Sequence, residues 1–348
     1  MTHAIPLFDG HNDLLSRFSG RARTDALREI SIGRARGHVD VPKMRQGHFA
    51  GGLFAIYVPN PPGTPFDMAA MMREEYDIPL PPAVGAEHAR AQTLEQASLL
   101  LDMEREGFVR ICRTGGDVEA AMEAGEIAAI MHIEGAEGLD PDLLFLDVLV
   151  AAGLRSLGPV WSRPNAYGRG VPFAFPATPD TGPGLTDEGK RLVRACTDRG
   201  VLVDTAHMSL KEFMDVAELT DGPLLNSHSN AHAITPHARN LTDDQLRLIG
   251  ERQGLVGLNY ATAFLREDGR MVELDTLEPM IRHLSHMIEI AGEDCVGLGS
   301  DYDGALIPAP IGHVGGGQAL VEAMRTAGFG EALIEKIAWR NWLRVLDS

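Results

Sequence analysis

Residues 127–135 read Ile-Ala-Ala-Ile-Met-His-Ile-Glu-Gly, a short apolar run closed by an acid and a glycine. Seven apolar-rich residues between Gly125-Glu126 and Glu134-Gly135 are too few for a buried helix and suit a strand buried in a sheet. The same pattern recurs along the chain, and the predicted strands are residues 5–8, 52–58, 127–133, 156–160, 201–204, 224–226, 255–258 and 295–298. Between most of them the apolar spacing is helical, over 83–106, 143–152, 186–199, 210–219, 242–253 and 274–291. Parallel strands with helical crossovers in this number close into a barrel, whereas a doubly wound sheet usually has fewer. The expectation is an α/β protein with one (β/α)8 barrel domain spanning 1–348. Two stretches break the alternation: 60–82, rich in Pro and Met, and 162–184, rich in Pro and Gly. Both read as loops that follow a strand and shape a pocket over the barrel mouth.

Composition narrows the partners. A chain of 348 residues, 44% hydrophobic and 23% charged, can bury a large core without disulfide staples. Its formal net charge of −18 opposes docking onto phosphate backbones or anionic lipid, so nucleic acid is not an expected partner. Cys112, Cys196 and Cys295 are widely separated with no CxxC spacing, as expected of reduced thiols in a cytoplasmic protein. No basic and apolar leader precedes Asp9, and no apolar run approaches membrane-spanning length, so a membrane partner is not expected either.

The chemistry gathers at the predicted strand ends. The first run leads into Asp9-Gly10-His11-Asn12-Asp13. Residues i and i+2 of an extended chain share a face, so His11 and Asp13 can point at one cation, and an imidazole beside a carboxylate suits zinc. Alone, such a tripeptide also fits a solvated turn. Glu134 ends the third run, where burial of a carboxylate is costly unless it is paired or bound to a cation, and its two oxygens can span two ions. Read alone it is more often a helix-capping or surface acid. The fifth run ends in Asp204-Thr205-Ala206-His207-Met208-Ser209 and the sixth in Asn226-Ser227-His228-Ser229. Neutral imidazole is the commonest transition-metal ligand, and these two follow successive strands. The eighth run leads into Gly299-Ser300-Asp301-Tyr302-Asp303-Gly304, where Asp301 can carry a proton from water to a leaving amine while Asp303-Gly304 suits a turn. A barrel collects functional groups at the C-terminal ends of its strands, so closure brings these residues together.

This set of motifs resembles the membrane (renal) dipeptidase family of the amidohydrolase superfamily, from about residue 5 to the C-terminus, including Val41-Pro42-Lys43-Met44-Arg45 and Asn341-Trp342-Leu343-Arg344-Val345. The resemblance implies two divalent metal ions, most simply Zn2+, with His11 and Asp13 on one, His207 and His228 on the other, and Glu134 bridging. It implies Asp301 as the acid/base and Arg239, in His237-Ala238-Arg239-Asn240, as the anchor for the carboxylate of a dipeptide substrate. It also implies a homodimer. Coordination lowers the pKa of water from about 15.7 toward roughly 7, so hydroxide can attack the scissile carbonyl. One departure stands out. Family members active on ordinary dipeptides usually carry a histidine after the fourth strand where this chain has Trp161, and indole cannot provide an imidazole hydrogen bond to a developing oxyanion. Trp161 can stack on substrate or narrow the pocket, with Arg163 or Asn165 standing in or the metals polarising the carbonyl alone. Rival readings are an amidohydrolase of N-acyl amino acids, lactams or lactones, and a weakened barrel that only binds.

Overall fold

The computed structural model describes residues 3–348. Each predicted run overlaps a strand: β1 Leu7–Asn12, β2 Phe49–Tyr57, β3 Ala128–Glu134, β4 Leu154–Gly158, β5 Leu202–Val203, β6 Leu225–Ser229, β7 Leu255–Leu258 and β8 Val296–Leu298. They pair in parallel in the order β5-β4-β3-β2-β1-β8-β7-β6. The two ends of that path meet where Asp204 bridges Leu225 and the Thr205 amide donates to the Leu225 carbonyl at 2.9 Å. The sheet is therefore a nearly closed barrel of (β/α)8 type.

The helices follow the expected spans to within a few residues at either end, as Ala86–Arg105, Leu144–Ala152, Asp187–Asp198, Leu210–Leu219, Asp243–Glu251 and Glu278–Ala291. Their starts are set by local chemistry. The hydroxyls of Ser209 and Thr242 accept from the third helical amide, and the side chains of Glu212 and Gln245 return the bond to the cap amide. Glu212 does more, because its Oε1 accepts from the amides of Arg169 and Gly170 at 2.6 and 3.2 Å and ties the long loop after β4 to the helix after β5. At the opposite end the C-terminal helix Asn341–Leu346 inserts Trp342, whose Nε1 donates to the Leu298 carbonyl at 2.9 Å. A Cβ on Gly10 would lie 2.3 Å from that indole and one on Gly297 2.6 Å, so both strands need glycine there.

Two local expectations are corrected. β1 runs on through His11 to Asn12, because backbone pairing with β2 and β8 continues past the last apolar side chain. The segments 60–82 and 162–184 are not simply loops: Tyr76–Ile78 pairs antiparallel with Phe173–Phe175, in register Tyr76↔Phe175 and Ile78↔Phe173. Their Pro- and Gly-rich flanks hide an aromatic pattern whose pairing partner lies almost a hundred residues away. Tyr76, Ile78, Phe173 and Phe175 are all buried in one apolar cluster with Trp161 and Phe264. Among the described residues no helix is long and apolar enough to cross a membrane.

Candidate metal centre

His11, Asp13, Glu134, His207 and His228, predicted from the ends of four separate runs, meet at the barrel mouth. Their Nε2 and carboxylate atoms lie close: His11 to Asp13 Oδ2 at 3.4 Å and to Glu134 Oε2 at 3.8 Å, His207 to Glu134 Oε1 at 3.0 Å and His228 to the same oxygen at 3.4 Å. Ligand atoms of His11, Glu134 and His228 fall within 4.8 Å of one another, as do those of His11, Asp13 and Asp301. The two groups share His11. All five side chains are buried.

The donor chemistry fits divalent cations. Both ring nitrogens of His11 are buried without a hydrogen-bond partner among the described residues, which costs about 1–3 kcal/mol for a polar atom left bare. Burial opposes charge on His11, yet the carboxylates of Glu134 and Asp13 outweigh it and hold its pKa up at about 10. The acids at this point demand positive charge. Burial, with Arg239 nearby, pushes the pKa values of His207 and His228 well below the ordinary range, so both rings are neutral. Ser227 Oγ spends its one proton on Asp204 Oδ2 at 2.6 Å and so accepts from His228 Nδ1 at 2.7 Å. That tautomer leaves the lone pair of His228 on Nε2, towards Glu134. Ser162 Oγ lies 2.9 Å from His207 Nδ1.

Asp301 stands at the edge of this set with φ +60°, held by Asn259 Nδ2, which donates to Oδ2 at 3.1 Å. Burial raises its pKa, reinforced by the like charge of Asp13. Gly304 makes room for the pair, because a Cβ there would lie 2.1 Å from Asp301 Oδ1 and 2.2 Å from Asp13 Oδ2. Asp303 does form the turn, accepting from Arg34 Nη1 at 2.6 Å and the His38 amide at 2.9 Å.

Above the ligands lies a cavity of about 390 Å³ with two unlike walls. Asp13, Glu134, His207, Asp301 and Arg17 supply the polar side, and Phe66, Met68, Met71, Trp161, Phe173 and Phe264 the apolar side. Trp161 packs against Tyr57, Phe66, Phe173 and the His207 ring, with centroids 5.1 to 5.8 Å apart. Arg163 does not stand in for an imidazole: its guanidinium is fully buried on Glu137 Oε1, Asn60 Oδ1 and the Val58 carbonyl. Asn165 is likewise spent on the Pro159 carbonyl and the amides of Tyr167 and Gly168. Arg239 is buried beside the ligands, with Nη1 donating to Ser229 Oγ and Nη2 to the His228 carbonyl, both at 3.0 Å. Its Nε has no partner among the described residues, and the guanidinium lies 5.6 Å from the Phe264 ring, which borders the cavity.

Three functional positions were not singled out from the sequence. Asp9 shares the pleat of His11 and was legible by the same i, i+2 rule; it accepts from the Ser300 amide at 2.7 Å and hydroxyl at 2.9 Å, joining β1 to the Asp301 loop. Tyr57 lies inside the second predicted run, at the end of β2, and lines the cavity. Asn259 follows the seventh, and nothing local distinguishes it from a turn residue.

Known proteins bear on the same site. The family model for membrane dipeptidase, peptidase family M19, matches residues 1–348. A metallopeptidase from Rhodobacter sphaeroides, solved with a phosphinate mimic of the dipeptide L-Ala-D-Ala, is 48% identical with a TM-score of 0.95 and 99% of each chain covered. The solved dipeptidase AC, an M19 metallopeptidase, is 49% identical, also with a TM-score of 0.95 and 99% of each chain covered. A protein encoded in the pqqA 5' region of Klebsiella pneumoniae is 44% identical over 242 residues, 70% of this chain and 89% of its own length. With a family match along its whole length and M19 peptidases superposing on its barrel, the chain belongs to the membrane dipeptidase family and is a metallo-dipeptidase.

Proposed function

We propose that the protein uses two zinc ions to hydrolyse the peptide bond of dipeptides, including those with a D-residue at the C-terminal position. The observation that carries this reading is the convergence of His11, His207 and His228 on Glu134, with Asp13 beside His11, beneath a cavity of small-peptide size. His11 and Asp13 would hold one ion and His207 and His228 the other, with Glu134 shared between them. When bound, the ions supply Lewis acidity that readies water for attack near neutral pH and polarises a carbonyl. Support for the D-residue comes from the L-Ala-D-Ala mimic held by the Rhodobacter sphaeroides relative.

The chain's own groups do the rest. Asp301 takes the proton of the attacking water and returns it to the leaving amine. Asn259 occupies Oδ2, so Oδ1 is the oxygen through which that proton passes. Burial lowers the pKa of Arg239 to about 10, which still leaves it cationic at neutral pH, and its unpartnered Nε–H anchors the substrate carboxylate. The apolar wall around Trp161 receives a side chain and keeps water out. Three buried free cysteines support a reducing, cytoplasmic setting.

Elemental analysis with a substrate panel tests the reading. We expect about two divalent ions per chain, hydrolysis of L,D- and L,L-dipeptides, and a rate loss of about 10²–10⁴ in Asp301→Asn with its metals retained. Turnover of N-acyl amino acids, lactams or lactones without any dipeptide would replace this reading with a related hydrolase. Full activity in Asp301→Asn would reject the proton-transfer role.

A further inference from the structure

Tyr57 is the last residue of β2 and pairs in register with Glu134, the last residue of β3. Partnered residues of a parallel pair project from the same side of the sheet, so the phenol rises beside the carboxylate that His207 and His228 face. It is firmly mounted. Gln96 receives the Tyr57 amide on Oε1 at 3.0 Å and donates from Nε2 to the Tyr57 carbonyl at 2.6 Å. The ring meets Trp161 edge-on at 5.1 Å, and the Arg163 guanidinium lies 5.7 Å from its centroid. The hydroxyl has no hydrogen-bond partner among the described residues, and the residue borders the cavity together with Asp13, Glu134, His207 and Asp301. A phenol ordinarily titrates near 10, so at neutral pH it has a proton to donate.

Water adding to a carbonyl carbon moves the C=O π pair onto oxygen, and a fixed donor near that oxygen is worth more as its charge develops than before. The neighbouring donors Arg163 and Asn165 are committed elsewhere. We infer that the Tyr57 hydroxyl donates a hydrogen bond to the scissile carbonyl oxygen as water adds, which makes it a catalytic residue of the amide hydrolysis proposed above. The inference rests on that reading. Tyr57 keeps its proton throughout: the C–O bond forms, the oxyanion accepts the hydrogen bond, and collapse expels the amine with the proton carried by Asp301.

Tyr57→Phe removes the hydroxyl and leaves the ring against Trp161. For this variant kcat should fall about 10²–10³-fold, the loss typical for one oxyanion donor, with KM within about threefold of wild type. Metal content should be unchanged, and the affinity for a phosphinate dipeptide, whose tetrahedral oxygens resemble the oxyanion, should fall by about 10²-fold. An unchanged kcat, or a raised KM with kcat intact, overturns the inference, as does unaltered phosphinate affinity. A wild-type enzyme that hydrolyses no dipeptide would sink the broader reading instead, so the two failures are told apart by the wild-type assay.

Discussion

The Nε2 atoms of His207 and His228 face each other across 3.2 Å, and both are turned to the same oxygen of Glu134. For His228 this orientation depends on a chain of polar contacts in which Asp204 takes the Ser227 proton and Ser227 takes the His228 Nδ1 proton. Ser227→Ala breaks the chain and frees the imidazole to adopt the other tautomer. Partners of this kind are worth about 10–100-fold in metal affinity. Competition with a chelator should show that loss in the variant, and an affinity within threefold of wild type would mean that the serine does not hold the tautomer.

Arg239 presents an unpartnered Nε–H while both Nη atoms are bonded to β6. Lysine keeps the charge but cannot hold β6 and a carboxylate at once. Hydrogen bonds to charged groups contribute about 1.5–3 kcal/mol, so KM of Arg239→Lys for dipeptides should rise roughly 10–100-fold. Dipeptide amides, which lack the carboxylate, should be hydrolysed equally by both proteins. If the variant loses as much on the amides, the anchor lies elsewhere.

Trp161 forms part of the cavity wall with Phe66 and Phe173. Burying a large apolar side chain against such a wall is worth about 1.5–3 kcal/mol. In Trp161→Ala, kcat/KM for dipeptides with a bulky apolar side chain should drop about 10–100-fold. Glycine-containing dipeptides should change by less than about threefold, since they make little contact with the wall. Equal losses across the series would show that Trp161 supports the site and does not select substrate.

His283 lies fully buried in the helix Glu278–Ala291, away from the ligands, where Nδ1 accepts from the Ala231 amide at 3.1 Å and Nε2 faces the Leu265 carbonyl at 3.2 Å. A second proton would set Nδ1–H against the Ala231 N–H, and burial depresses the pKa to about 3. The unfolded histidine titrates near 6.5, so this contribution to stability is complete above that pH and is lost progressively as the pH falls towards 3. In His283→Gln, measured by urea unfolding of metal-free protein, the loss of stability between pH 7.5 and 5 should shrink by about 2 kcal/mol relative to wild type. Identical pH profiles for the two proteins would contradict a neutral buried imidazole.

Every strand of the barrel could be read from the sequence because a buried strand needs a run of apolar side chains, and a run is a local property. The ligands were legible for the same reason: His11, Glu134, His207 and His228 stand at or just beyond the ends of such runs. Local pattern did not disclose what each polar group bonds to. Arg163 looked available beside Trp161, yet Glu137 and Asn60 consume it. Nothing local marked Asn259, yet it orients a carboxylate 42 positions on.

The amino-acid order by itself determined the repeat of strand and helix and the placing of imidazoles and carboxylates at the strand ends, since both depend on short-range spacing. Closure of the sheet between Asp204 and Leu225, the ribbon joining Tyr76–Ile78 to Phe173–Phe175, and the approach of Asp13 to Asp301 over Gly304 were decided only in three dimensions. Those contacts join residues far apart in the chain, and whether a polar atom is spent or free depends on which distant backbone folds against it.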